Sequence, residues 1–290
     1  MLFYLFLEVR VKNMNNVLSI AGSDCSAGAG IQADLKTFVA NGVYGMTVIT
    51  SLTAQNPQKV KMLEDVSIEM LEKQIEAIFD VMEVSAVKIG MLNSKENGEV
   101  IYEKLLKYKV KNIVLDPVMI ATSGNSLIKD ETKDFLVNKL FKIVDIITPN
   151  LDETKEIVKI ILNNENIENI DSIEKMKNYG KVIADFTKKW VLIKGGHLSN
   201  SAVDILMNKD ETYILEGEKI SSNNTHGTGC SLSSAIASNL AKDYSMLDSV
   251  KKAKNFVLYS IKNSIDFGEI AGTVNQMGEI YKNIDIEKLY

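Results

Sequence analysis

Residues 223–230 read Asn-Asn-Thr-His-Gly-Thr-Gly-Cys and run straight into a small-residue, Ala/Ser/Leu helix pattern. Gly227 and Gly229 flank Thr228 and lead to Cys230. Glycine lacks the Cβ that blocks close backbone approach. The first turn of a helix leaves N–H groups without internal partners, and its dipole favours negative charge. Such a turn is a cradle for an anion, typically a phosphate. Read alone, the stretch is more simply a capped turn, with Thr225 or Thr228 as the cap.

Other residues change that balance. Phosphoryl transfer needs a cradle for the moving group, a divalent metal and a positioned acceptor. Gly227, Thr228, Gly229 and Cys230 can supply backbone donors. Asp116, Asn150 and Glu153 could hold Mg²⁺ directly or through water, because Mg²⁺ takes oxygen ligands and keeps several waters. Lys194 could neutralise phosphate charge. Singly, each acid is as easily a cap or a surface charge, and Asp152 and Glu153 suit a first helical turn in any case. Cys230 has two readings. One is a small buried residue at a helix start. The other is a thiol whose pKa the helix terminus lowers, able to take a proton from an attacking hydroxyl or hydrogen-bond to it. Gln55 both donates and accepts, which suits the edge of a heteroaromatic ring such as an aminopyrimidine. Its alternative is to cap the Asn56-Pro57 turn. Cys25 reads as structural and His197 as a loop histidine. No Walker loop is present, and residues 22–30 have the wrong spacing for a dinucleotide fingerprint.

These residues need elements to hold them. Apolar runs at 17–21, 43–52, 86–92, 112–119, 144–150 and 190–194 read as strands. Helical spacing covers 31–40, 67–81, 94–108, 130–140, a stretch from 151, 172–188 and 247–264. Residues 202–207 and 212–215 predict an antiparallel hairpin. Strands alternating with helices give an α/β fold with a mostly parallel sheet covered on both faces. The unusual residues gather after the strands, where open α/β sheets bind ligands.

The chain has 290 residues, 46% of them hydrophobic and 24% charged, which is the balance of a globular protein. Only three prolines occur, and no linker-like stretch divides the chain. One domain over 14–290 is expected, with 1–13 as an extension outside the core or an extra edge strand. The apolar run within 1–11 is too short to span a bilayer. A net charge of −5 argues against nucleic acid as a partner. Two cysteines, both in Gly-rich turns, suggest a reducing compartment, so a cytoplasmic location is expected.

The motifs together resemble one family. Residues 21–37, Asp116-Pro117-Val118-Met119, Thr148-Pro149-Asn150-Leu151-Asp152-Glu153, Lys194-Gly195-Gly196-His197 and His226-Gly227-Thr228-Gly229-Cys230 occur in its order. The chain thus resembles the hydroxymethylpyrimidine/phosphomethylpyrimidine kinases of thiamine biosynthesis, in the ribokinase-like superfamily. The resemblance implies a three-layer fold with a small hairpin or flap, and an enzyme using ATP and Mg²⁺. It implies phosphorylation of 4-amino-5-hydroxymethyl-2-methylpyrimidine and then of its monophosphate. Gln55, Gly22, Asp34, Thr53 and Met91 would bind the substrate. Residues 227–230 would form the anion hole, with Cys230 standing where many related sugar kinases carry an aspartate base. Lys194, Thr148 and Asn150 would lie on the ATP side, and Asp116 and Glu153 on the metal. Residues 120–127 would belong to a mobile flap, and the molecule would be a homodimer. Cys25 and Ala27 depart from the Ser and Gly common in the first loop. Residues 163–171 look like an insertion remote from the chemistry. A pyridoxal kinase of the same superfamily is the alternative, and Gln55 favours the pyrimidine. A nucleotide sensor without catalysis is a third reading.

Overall fold

The computed structural model describes residues 14–119, 128–196, 198 and 202–283. Strand β1 (Asn16–Asp24) has its apolar residues Val17, Leu18, Ile20 and Ala21 buried on both faces. A strand buried on both sides belongs in the middle of a parallel sheet. The other strands are β2 (Tyr44–Asn56), β3 (Lys59–Asp65), β4 (Ala86–Ile89), β5 (Ile113–Leu115), β6 (Ile146–Ile147), β7 (Trp190–Ile193), β8 (Asp204–Met207) and β9 (Thr212–Leu215). They form one sheet in the order β3-β2-β1-β4-β5-β6-β7-β8-β9. The segment from β2 to β7 is parallel, and β3, β8 and β9 add antiparallel edges.

The helices are α1 (Gly30–Ala40), α2 (Ile68–Phe79), α3 (Lys95–Lys107), α4 (Asp130–Asn138), α5 (Leu151–Leu162), α6 (Ile173–Thr187), α7 (Thr228–Leu240), α8 (Met246–Lys262) and α9 (Gly278–Asn283). Side chains alternate across a strand, so the sheet carries two cores. Leu18, Ile20, Val87, Ile89 and Ile147 face α2 to α6. Val17, Ala86, Val114, Ile146 and Leu192 face α1, α7 and α8. This is the expected three-layer α/β arrangement.

The structure departs from the expectation at one edge. β2 does not stop at Leu52 but runs to Asn56 and turns back into β3. Strand β3 alternates Lys59, Val60, Lys61 and Met62 and is exposed along nearly its whole length. Charges on an edge strand block further pairing and also dilute the apolar signal that marks a strand. Gln55 therefore lies inside a two-stranded ribbon. The expected hairpin forms as β8 and β9. Residues 163–171 form a largely exposed connection between α5 and α6, anchored by buried Ile170. Residues 1–13, the 120–127 flap stretch and His197 lie outside the described residues.

Candidate active site

The first Gly-rich loop continues β1, and Thr53 and Gln55 lie on the far part of β2. Met91 follows β4, Asp116 follows β5, Thr148 and Asn150 follow β6, and Lys194 follows β7. All sit at the carboxyl ends of strands or just beyond, where α7 also begins.

Gly227 is the N-cap of α7 and holds φ at +87°, with no side chain capping the helix. Neither threonine caps it, contrary to the simpler sequence reading. Thr228 is the first helical residue, and its hydroxyl donates back to the Thr225 carbonyl at 2.6 Å. A Cβ at Gly227 would collide with the Gly28 carbonyl, so only glycine brings the two loops this close. The Gly30 N–H donates to Cys230 Sγ, which ties the first loop to the anion cradle. The first-turn N–H groups of Gly229 and Cys230 have no intrahelical partners.

A charged cluster lies against this terminus. Lys194 Nζ is 2.8 Å from Asp116 Oδ1, which also accepts from the Thr148 hydroxyl at 3.0 Å. A Cβ on Gly229 would lie 3.2 Å from Asp116 Oδ2 and 3.5 Å from Lys194 Nζ. Burial pulls the Lys194 pKa down, but Asp116 and Glu153 outweigh it and keep the ammonium charged. Asn150 and Glu153 form a capping box on α5, each side chain bonding the other's backbone N–H at 2.8 Å. This bears out the simpler reading of Glu153 as a cap, and it gives Asn150 a capping role that the sequence reading did not assign. Glu153 is also buried, and burial together with Asp116 pushes its carboxyl up to about 7 despite Lys194. Among the described residues no group of three or more acids, histidines or cysteines makes a ready metal cage. Two carboxylates suit Mg²⁺, which completes its shell with water and phosphate oxygens.

Beneath Cys230 lies a residue the sequence reading missed. Lys88, on β4, is fully buried and sits 2.8 Å from Asp34 Oδ2. Asp34 also accepts from the Ser19 hydroxyl at 2.5 Å and the Ser234 hydroxyl at 2.7 Å. Asp34 is therefore not a surface for substrate, as was expected. Its carboxylate is spent on holding Lys88 under the cradle. Burial lowers the Lys88 pKa, but Asp34, Cys230 and Asp116 outweigh it and hold it raised. The signal was a lysine inside the buried-type run Ala86-Val87-Lys88-Ile89, since lysine is almost never fully buried unpaired. The expected low thiol pKa is also corrected. Burial pushes Cys230 up to about 11, Asp34 and Asp116 add to the rise, and Lys88 and the Gly30 N–H offset only part. A neutral thiol can hydrogen-bond and orient an attacking hydroxyl, and only its thiolate form could take the proton.

The opposite wall carries Gln55. Its backbone and Cys25 hold each other: the thiol donates to the Gln55 carbonyl at 3.2 Å, and the Gln55 N–H donates to Sγ at 3.4 Å. The Gln55 amide lies between Thr53 Oγ1 at 3.3 Å and His226 Nε2 at 3.5 Å. It does not cap the following turn; Asn56 Oδ1 does that, accepting from Gln58 and Lys59. His226 Nε2 also meets Asp24 Oδ2 at 3.1 Å. Burial raises the Asp24 carboxyl, but hydrogen bonds from His226, Ser26 and Ala29 outweigh it and hold it down at about 2. Gly22 packs where a Cβ would come within 3.0 Å of Met91 Cε. The sequence reading overlooked Asp24 and His226. With only two histidines in the chain, one beside the anion cradle was a usable signal.

The geometry thus combines a helix-terminal anion cradle, a lysine and two acids on one side, and an oriented amide on the other. A model of the phosphomethylpyrimidine kinase family matches residues 24–275. A hydroxymethylpyrimidine/phosphomethylpyrimidine kinase of Aquifex aeolicus is 43% identical over 253 residues, covering 87% of this chain and 96% of the relative. The chain belongs to the phosphomethylpyrimidine kinase family. A crystal structure of the phosphomethylpyrimidine kinase from Clostridium difficile is 44% identical with a TM-score of 0.74, over 85% of this chain and 99% of that one. A Bacillus subtilis pyridoxal kinase in complex with ADP is 31% identical with a TM-score of 0.83, over 93% and 100%. The ribokinase-like fold is shared with both, and sequence identity is higher to the pyrimidine kinase. Among the described residues no helix is long and apolar enough to cross a membrane.

Proposed function

We propose that this chain transfers a phosphoryl group from ATP to the hydroxymethyl oxygen of 4-amino-5-hydroxymethyl-2-methylpyrimidine, and a second to the monophosphate. The observation that carries the proposal is the seat of Gly229. It brings the N-terminus of α7 against Asp116 and Lys194, so a phosphoryl group in the cradle would meet cationic and metal-binding groups together. The backbone N–H groups of Gly229 and Cys230 would hold the equatorial oxygens as charge spreads over them, while the Thr228 N–H is turned to the Thr225 carbonyl at 3.2 Å. Lys194 would neutralise the nucleotide's phosphates, with Thr148 and Asn150 framing that side. Asp116 and Glu153 would hold Mg²⁺, directly or through water. The ion would supply charge neutralisation across the phosphates. Cys230 would hydrogen-bond the substrate hydroxyl and orient it for attack, and in its thiolate form would take the hydroxyl proton as the thiol is restored. Gln55 would take the pyrimidine edge, with Gly22, Thr53 and Met91 shaping the pocket beside it.

The same reading takes 14–290 as a single kinase domain with 1–13 outside it, in the cytoplasm and without nucleic-acid or membrane partners. It also takes the molecule as a homodimer. Exposed Leu52, Val60 and Met62 on the β2–β3 ribbon support this, being apolar on an edge otherwise defended by lysines. The experiment for the activity compares the aminopyrimidine alcohol with pyridoxal, each with ATP and Mg²⁺. A higher kcat/KM for the pyrimidine is expected. A clear preference for pyridoxal would replace the proposal with the pyridoxal reading.

A further inference from the structure

Lys88 on β4 is the register partner of Ser19 on β1, and both point to the sheet face that α1 and α7 cover. The lysine side chain runs along β4 toward the rim. A Cβ on Gly90 would lie 2.7 Å from Lys88 Nζ, so the ammonium sits beside the strand end although its Cα is two residues back. Two helices close over it. Gly30 and Asp34 are one turn apart on α1, and Cys230 and Ser234 are one turn apart on α7, so each pair shares a helix face. The Gly30 N–H bonds Cys230 Sγ. One turn further in, Ser234 Oγ donates to Asp34 Oδ1 at 2.7 Å. Asp34 Oδ2 accepts from the Ser19 hydroxyl at 2.5 Å and from Lys88 at 2.8 Å. Both carboxylate oxygens are engaged, and they hold the ammonium one rung below the thiol.

Folding alone does not account for a cation here. An ammonium carries three donors, and among the described residues Lys88 reaches one acceptor, Asp34 Oδ2. The charge is fully buried with two N–H groups left over. Taking a charge out of water is costly, and well-packed apolar residues of similar volume often stabilise a fold as well as a buried ion pair does. What the cation faces is Cys230. The thiol feels Lys88 from β4 more strongly than Asp34 from α1 or Asp116 after β5. Lys194, after β7, also acts on it.

We infer that Lys88 is a positioning residue that sets a fixed positive charge beneath Cys230, aimed by Asp34, and so stabilises the thiolate that takes the substrate's proton. This rests on the proposed function. In that step the hydroxyl proton passes to sulfur, the substrate oxygen bonds to phosphorus, and the bond from phosphorus to the ADP oxygen breaks with its electron pair leaving on ADP. Lys88 exchanges no atom in it and, being fully buried, does not touch the substrate. It acts through Cys230, because an opposite charge close by favours the ionised form of a thiol.

The test separates charge from stability. Lys88→Met with Asp34→Asn removes both charges and strands neither in the interior. Lys88→Gln with Asp34→Asn, a neutral pair that can still hydrogen-bond, is a second variant in case the first does not fold. In the folded variant kcat is expected to fall about tenfold, the equivalent of one pKa unit, with both KM values changed less than about threefold. In a Cys230→Ala background the same pair of substitutions is expected to lower kcat no further. Alkylation of Cys230 by iodoacetamide at neutral pH, resolved from Cys25 by peptide mass spectrometry, is expected to slow several-fold. A folded variant with wild-type kcat, an equal loss in the Cys230→Ala background, or an unchanged alkylation rate would each overturn the inference. A wild type that phosphorylates no pyrimidine contradicts the kinase reading, and the alkylation comparison, which needs no substrate, then decides by itself whether Lys88 charges the thiol.

Discussion

Cys230 is a half-buried thiol in the first turn of α7, and burial raises its pKa to about 11, so it meets the proposed substrate hydroxyl as a hydrogen-bonding S–H group. A group that acts only in the transition state affects turnover more than binding. Cys230→Ala is expected to lower kcat about a hundredfold or more with KM changed less than threefold, measured by steady-state ADP release. Undiminished kcat would remove the thiol from the chemistry. Lys88 and Asp34 make a different prediction, because their pair is fully buried. Lys88→Met leaves a carboxylate uncompensated in the interior, at a cost of about 3–5 kcal/mol in urea unfolding. Lys88→Met combined with Asp34→Asn should recover much of that loss. A single variant as stable as the wild type would contradict the ion-pair account. The cradle was legible because its glycines, threonine and cysteine are adjacent in the chain. Lys88, Asp24 and His226 were less so, since their partners lie 54 residues or more away and no local spacing announces them. For the same reason Asp34 was misassigned. The family resemblance placed it beside the substrate, but its burial depends on α1 packing under α7.

At the scale of elements, α7 carries the site and depends on the backbone at its start. Gly227 combines φ of +87° with close contact to the Gly28 carbonyl. Gly42 has φ of +70°, but a Cβ there would meet nothing within 4 Å. The two separate strain from collision. Gly42→Ala is expected to cost about 1 kcal/mol. Gly227→Ala is expected to cost about 2–4 kcal/mol and to abolish measurable turnover, because the loop must shift. Equal costs in thermal unfolding would show that the interlocked loops contribute nothing. Most strands and helices could be read from the sequence because buried strands are apolar throughout and the helices keep their period. β3 could not, as its side chains are exposed and its pairing with β2 is set by the turn at Asn56. The consequence reaches the site, since that ribbon carries Gln55.

For the whole molecule, one sheet with cores on both faces brings the ends of six strands to a common rim. That convergence makes chemistry possible from residues as far apart as Gly22 and Cys230. The ribbon edge beside it leaves Leu52 52% and Met62 61% exposed, which favours a self-complementary contact. Light scattering is expected to give the mass of a dimer, and Leu52→Lys with Met62→Lys is expected to shift it to a monomer. A monomeric wild type would contradict the dimer. The central claim is that one rim phosphorylates the aminopyrimidine twice. Its most direct test supplies a limiting amount of 4-amino-5-hydroxymethyl-2-methylpyrimidine with excess ATP and Mg²⁺ and counts ADP to completion. Two ADP per pyrimidine are predicted, with the monophosphate appearing before the diphosphate. ADP no higher than in the substrate-free control, or a single equivalent per pyrimidine, would contradict it.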